Sequence, residues 1–248
     1  MSENNFYWDI DRTLTHNALF YVITGSRGCG KSYDAKKRAI KNWVNKGEQF
    51  GYIRRTKDDL KESAKEFFKD VAREFPGYEF KVDGNKFYGR LSTSEEKGDK
   101  VRPWKDEDVI GYGFNLTTGS NKKSIPYPNV TMLIYDEFML DDQSSHQRYM
   151  KNEVRALLNL YETVARPGSD HPRVLLFMLA NNTSVNNPYF LMWDLKITDK
   201  PDKNGKMIWH HPTRPIVVEN VVNPAFIENK KKTEFYKVIS GTGYDDTS

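Results

Sequence analysis

The chain has 248 residues, of which 38 are Lys or Arg and 34 are Asp or Glu, giving a formal net charge of +4. Hydrophobic residues make up 38% and aromatics 13%, which excludes a disordered polymer and suffices for one large α/β domain or two small ones. The single cysteine, Cys29, excludes an intrachain disulfide. No apolar run approaches the ~20 residues needed to span a bilayer, and the start MSENNFYWDIDRT lacks the basic-then-apolar order of a signal peptide. A soluble intracellular protein with no membrane partner is expected.

In chain order, LFYVIT (19–24) reads as a strand buried on both faces. A helix is predicted from Lys31 to about Lys46, ending at Gly47, with Ala35, Ala39, Ile40, Trp43 and Val44 inward. QFGYIRR (49–55) is a second strand. Thr56 and Asp59 then form a capping box for a helix whose apolar face runs from Leu60 to Phe75 and which Pro76-Gly77 stops. Residues 79–90 read as a hairpin turning at Asp83-Gly84. VIGYGFNL (109–116) and VTMLIY (130–135) are strands, the second ending in Asp136-Glu137. Glu153 to Arg166 is a predicted helix, and RVLLFMLA (173–180) a buried strand ending at Asn181. RPIVVENVV (214–222) is a later strand, followed by a helix from Pro224 to about Ser240. Strands alternating with helices argue for a mainly parallel α/β sheet with helices on both faces. The predicted organisation is a P-loop ATPase core over 1–195 and, over 196–248, a C-terminal strand and helix extension or a linker toward a second domain.

The stretch GSRGCGKS (25–32) matches G-x-x-x-x-G-K-[ST] through Gly25, Gly30, Lys31 and Ser32, with a strand before it and a helix after it. Ser26, Arg27, Gly28 and Cys29 complete the loop, and Tyr33 follows it. Such a loop turns successive backbone N–H groups inward as an anion nest, reinforced by the N-terminus of the following helix. Lys31 is expected to reach the β- and γ-phosphates of ATP, and the Ser32 hydroxyl to ligate Mg²⁺. Asp136, at the carboxyl end of a buried strand, is the expected second metal residue, and Glu137 the group that polarises an attacking water. Asn181 is a candidate sensor of that water. Read from its position alone, Arg166 is better explained by the preference for cations at a helix C-terminus than by chemistry. The gap between Ser32 and Asp136 leaves room for an additional strand between the strands that carry them, the arrangement of additional-strand (ASCE-type) P-loop NTPases. The adenine pocket is placed near Tyr33 and the segment from Phe6 to Arg12. His210-His211 have no metal-ligand spacing. A P-loop nucleotide kinase and a non-translocating nucleotide-binding protein are the alternatives. Glu137 disfavours the kinase, which needs no water-activating carboxylate.

Five blocks, GSRGCGKSYDAKK, KGEQFGYIRRTK, YPNVTMLIYDEF, NEVRALLNLYETVAR and LANNTSVNNPYF, together resemble the DNA-packaging ATPases of small tailed bacteriophages of the podovirus type. The similarity runs in order from about Phe20 to Phe190. It implies an ATP-hydrolysing motor subunit that works as a homo-oligomeric, pentameric ring on a procapsid portal or its RNA scaffold. The implied cargo is double-stranded DNA, and the implied location is the host-cell cytoplasm, transiently at the procapsid. It also implies that Arg166 acts in trans as an arginine finger, that Asn181 is the polar residue after the next core strand, and that Arg27 touches the γ-phosphate or a carboxylate. Cys29 holds a variable position of the loop and has no implied side-chain chemistry. Lys122 and Lys123 in GSNKKS are candidate DNA contacts.

Overall fold

The computed structural model describes residues 7–92, 102–117, 126–140, 148–166, 173–181, 184–222, 228–229 and 231–242. The elements run α1 (Ile10–Leu14), β1 (Phe20–Gly25), α2 (Lys31–Lys46), β2 (Gln49–Arg54), α3 (Lys57–Lys65), β3 (Tyr78–Asp83), β4 (Lys86–Leu91), β5 (Val109–Asn115), β6 (Val130–Asp136), α4 (Glu153–Val164), β7 (Leu175–Leu179), α5 (Pro188–Trp193), β8 (Met207–His210), β9 (Ile216–Val221) and α6 (Glu234–Ile239). Among the described residues the strands pair mostly in parallel, with antiparallel pairing at β3-β4, β4-β5 and β8-β9. The chain divides into two compact units.

The first unit comprises Met1–Asp34, Asp136–Val154 and Leu176–Ser248. Its strands are ordered β7-β1-β9-β8. Every residue of β1 is buried, as a strand flanked on both edges requires. It runs parallel to β7, with Tyr21 opposite Phe177, and parallel to β9, with Ile23 opposite Glu219 and Gly25 opposite Val221. Tyr21 stacks on Phe177 at 4.7 Å between ring centroids, and Trp8 meets the same ring edge-on at 6.4 Å. The neighbours of β1 are therefore β7 and β9. The strand added beside the phosphate-loop strand is β7, which follows Asp136 in the sequence. It is not drawn from the stretch between Ser32 and Asp136, as the length of that gap suggested.

The second unit comprises Ala35–Tyr135 and Arg155–Leu175. Its strands are ordered β3-β4-β5-β2-β6, with β2 parallel to β5 and β6, and β3-β4 a hairpin. Aromatic packing builds this core. Phe67 stacks on Phe50 at 4.9 Å and tilts against Phe87 at 4.7 Å. The expected Thr56–Asp59 capping box is present at the start of α3. That helix stops at Lys65, however, and does not continue to Phe75. Beyond it the chain proceeds through turns and a 3₁₀ turn at 72–74, and both Phe67 and Phe68 are buried. Adjacent helical residues point about 100° apart, so leaving the helix lets two neighbouring rings enter one core. On α2, Ala35, Ala39 and Ile40 are buried, while Trp43 and Val44 are half-buried.

Three short elements have no counterpart in the sequence reading: α1, α5 and β8. The helix expected from Pro224 is described only as α6, capped by Thr233, which accepts from the Tyr236 N–H. Pro224 itself lies outside the described residues. His210 ends β8 with its ring 4.9 Å from that of His16. No cluster of three or more metal-ligating side chains occurs among the described residues, and none of their helices is long and apolar enough to cross a membrane.

Candidate functional site

The loop from Gly25 to Lys31 joins β1 to α2 wholly within the first unit. Gly25, Gly28 and Gly30 have φ of 153°, 84° and 85°. Gly25 is fixed by its surroundings as well as by its backbone. A Cβ there would lie 2.7 Å from the Val221 carbonyl oxygen of β9. At Gly30 a Cβ would lie 3.1 Å from Cβ of Tyr7. Arg27 and Gly28 are exposed, Ser26 is half-buried and Cys29 is 1% exposed.

Lys31, the first residue of α2, is 6% exposed. Its Nζ donates to the Gly25 and Ser26 carbonyl oxygens, both at 2.9 Å, and to Cys29 Sγ at 3.3 Å. Burial lowers the Lys31 pKa below the usual lysine range, and the nearby Cys29 and Asp136 offset part of that effect. The ammonium is thus held at the loop by its own carbonyls, a position from which it can turn to a phosphate oxygen.

Ser32 Oγ donates to Asp136 Oδ1 at 2.7 Å, joining residues 104 apart in sequence. Asp136 is buried at the end of β6, and Glu137 is exposed with φ of 57°. The next residue is anchored, since Phe138 N–H donates to the Leu179 carbonyl of β7. The left-handed turn at Glu137 therefore lies between two fixed residues.

These groups fit a magnesium nucleotide. Magnesium prefers oxygen donors and is held in such sites by one or two protein groups together with substrate phosphates. A serine hydroxyl already at hydrogen-bond distance from a carboxylate, beside a glycine loop, is that donor set.

The structure brings together Gly25, Ser26, Cys29, Lys31, Ser32 and Asp136. Tyr33 is half-buried in the first turn of α2, and Asn181 is half-buried just beyond β7. Arg166 is exposed two residues past the end of α4, in the second unit. Lys122 and Lys123 lie outside the described residues, as does Phe6.

Sequence reasoning missed a network behind the loop. Glu219 of β9 is 1% exposed. Its Oε2 accepts from the Trp8 indole N–H at 3.0 Å and from the Thr13 hydroxyl, and its Oε1 accepts from Arg12 at 3.2 Å. The backbone N–H of Trp8 donates to the Cys29 carbonyl at 2.9 Å, and the Ile10 N–H donates to Asp34 Oδ2 at 2.7 Å. A local signal existed for part of this. Asp9 caps α1, accepting from Asp11 N–H and Arg12 N–H, so DIDRT spells a helix start.

The whole chain, residues 1–248, matches the model of the family described as Podovirus DNA encapsidation protein (Gp16). A DNA packaging protein of Bacillus phage B103 is 35% identical over 235 residues, 95% of this chain and 64% of the relative. The chain thus spans about two thirds of the length of the curated relatives it matches. The crystal structure of the N-terminal domain of the DNA packaging ATPase from bacteriophage phi29 superposes with a TM-score of 0.68 at 32% identity, covering 89% of this chain and 98% of that one. A chain of the bacteriophage phi29 viral genome packaging motor assembly superposes with a TM-score of 0.69 at 33% identity, covering 96% of this chain and 64% of that one.

Proposed function

The chain belongs to the Podovirus DNA encapsidation protein family, and from that premise we propose that it is an ATP-hydrolysing motor subunit that moves double-stranded DNA into a procapsid. The observation that carries the chemical part is the 2.7 Å bond from Ser32 Oγ to Asp136 Oδ1 beside the phosphate loop. In this reading the loop amides and Lys31 bind the phosphates of ATP, while Ser32 and Asp136 hold Mg²⁺. When bound, the metal neutralises charge on the phosphate oxygens. Glu137 accepts a proton from the attacking water, and Asn181 orients that water. Arg27 adds a cation at the rim of the loop. Arg166 acts on the nucleotide of a neighbouring subunit in a homo-oligomeric ring, read as a pentamer, seated on the portal or its RNA scaffold in the host-cell cytoplasm. Lys122 and Lys123 meet the DNA backbone. Residues 1–195 form the ATPase core and 196–248 its extension, which returns β8 and β9 to the edge of β1.

Incubation with ATP and Mg²⁺ alone tests the reading. Phosphate release without any acceptor supports an ATPase and argues against a nucleotide kinase, and Lys31→Ala abolishes it. Specific activity that rises with protein concentration, and disappears in Arg166→Ala, supports the trans role. Activity independent of concentration counts against it. Stimulation by duplex DNA should weaken steeply with added salt, as phosphate contacts require.

A further inference from the structure

We infer that Glu219, acting through residues 8–13, is a positioning residue for the phosphate loop. It holds the Cys29–Gly30 peptide so that the Gly30 N–H faces the phosphates. The inference rests on the nucleotide-binding reading above, but the geometry behind it stands on its own contacts.

A trans peptide points its C=O and N–H in opposite directions. The Cys29 carbonyl and the Gly30 N–H belong to one peptide unit. The backbone N–H of Trp8 donates to the Cys29 carbonyl at 2.9 Å. That bond turns the Gly30 N–H away from the N-terminal segment, to the side left for a phosphate oxygen. Tyr7 packs against the same unit, close enough that a Cβ on Gly30 would crowd it. Because Gly30 has φ of 85°, a conformation glycine enters and leaves at little cost, the loop needs an external hold to keep this plane fixed.

The hold on Trp8 comes from Glu219. Its buried carboxylate gathers Trp8, Thr13 and Arg12, three donors from one short segment. A second tie, Ile10 N–H to Asp34 Oδ2, fastens the start of α1 to the first turn of α2. Glu219 and Val221 lie on the same strand, opposite Ile23 and Gly25 of β1. Strand β9 therefore reaches the loop twice, directly at Gly25 and indirectly through Trp8. The carboxylate touches no part of the substrate site itself, so its effect is on where a donor points.

The test uses Glu219→Gln in the full chain, with Trp8→Phe as a second variant that removes the indole N–H and keeps an aromatic ring at this buried position. The first readout needs no nucleotide. In ¹⁵N-labelled protein, the Gly30 amide resonance should shift and the solvent exchange of the Trp8 backbone amide, which donates to Cys29, should accelerate about tenfold, while Gly84 in the β3–β4 turn stays unchanged. The second readout is Mg-ATP affinity, expected to weaken five- to tenfold in both variants, with KM raised in the same proportion and kcat kept within about twofold. Unchanged Gly30 resonance and unchanged Trp8 amide exchange in both folded variants overturn the inference. So does a Gly30 change with Mg-ATP affinity within twofold of the unsubstituted chain. A shifted Gly30 in a chain that never binds Mg-ATP overturns the nucleotide reading and leaves the hold on the loop intact.

Discussion

The phosphate loop and the turn at Glu137 both place backbone in the left-handed region, and they meet that need in opposite ways. In the loop, glycine takes the positive φ at residues 25, 28 and 30. There the proposed work is done by main-chain N–H groups, so side chains are dispensable. At residue 137 a glutamate takes φ of 57°, at a cost of about 1 kcal/mol for an L-residue with a Cβ. A costly residue in a conformation that glycine would adopt freely accords with the role proposed for its carboxylate. Asp136 is pinned by Ser32 and Phe138 by Leu179, so their anchors hold the strained residue in place.

The largest expected effect falls on the turn. Glu137→Gln keeps the shape but removes the base, and hydrolysis should fall about 100-fold or more while Mg-ATP still binds; kinetics with a separate binding titration check it. If hydrolysis survives, the carboxylate is not the base and the comparison breaks. Gly25→Ala tests the loop. Its Cβ would meet the Val221 backbone, so thermal unfolding should report a loss of about 1–3 kcal/mol. Glu137→Gly should do the reverse, raising stability by about 1 kcal/mol as the strain is relieved, with hydrolysis lost. Stability and activity then move in opposite directions at one residue.

The smallest effect is a pH dependence at Lys31. Its pKa is lowered in the folded chain by burial, so between that lowered value and the ordinary lysine value the unfolded state binds more protons. Stability from this group therefore rises with pH across that window, and at neutral pH the buried ammonium is a cost. Lys31→Met lacks the titration. Its melting temperature relative to the unsubstituted chain should fall as pH is raised toward the ordinary lysine value. A constant difference removes the burial argument.

The parts of the site that lie within one short motif were legible in the sequence. Residues 25–32 and the Asp136-Glu137 pair are such parts, because a strand, a turn and a helix start encode them locally. Gly25 shows the limit. The motif names it for its backbone, but its tight approach to Val221 depends on a strand almost 200 residues later. Glu219 was illegible for the same reason. In RPIVVENVV it reads as a polar residue near a strand end, and only the pairing of β9 with β1 places its carboxylate under Trp8 and Thr13. The over-long α3 came from treating apolar periodicity as hydrogen bonding. The face from Leu60 to Val71 is buried as expected, but aromatic stacking around Phe67 continues it after the helix has ended.

Cys29 is the one thiol of the sequence, and it is enclosed beside the Lys31 ammonium. A maleimide dye placed on an engineered surface cysteine will therefore label that position in preference to the native one, and no background substitution in the loop is required. Conversely, the rate at which the native thiol reacts becomes a direct clock for opening of the loop, readable in the unmodified protein during turnover.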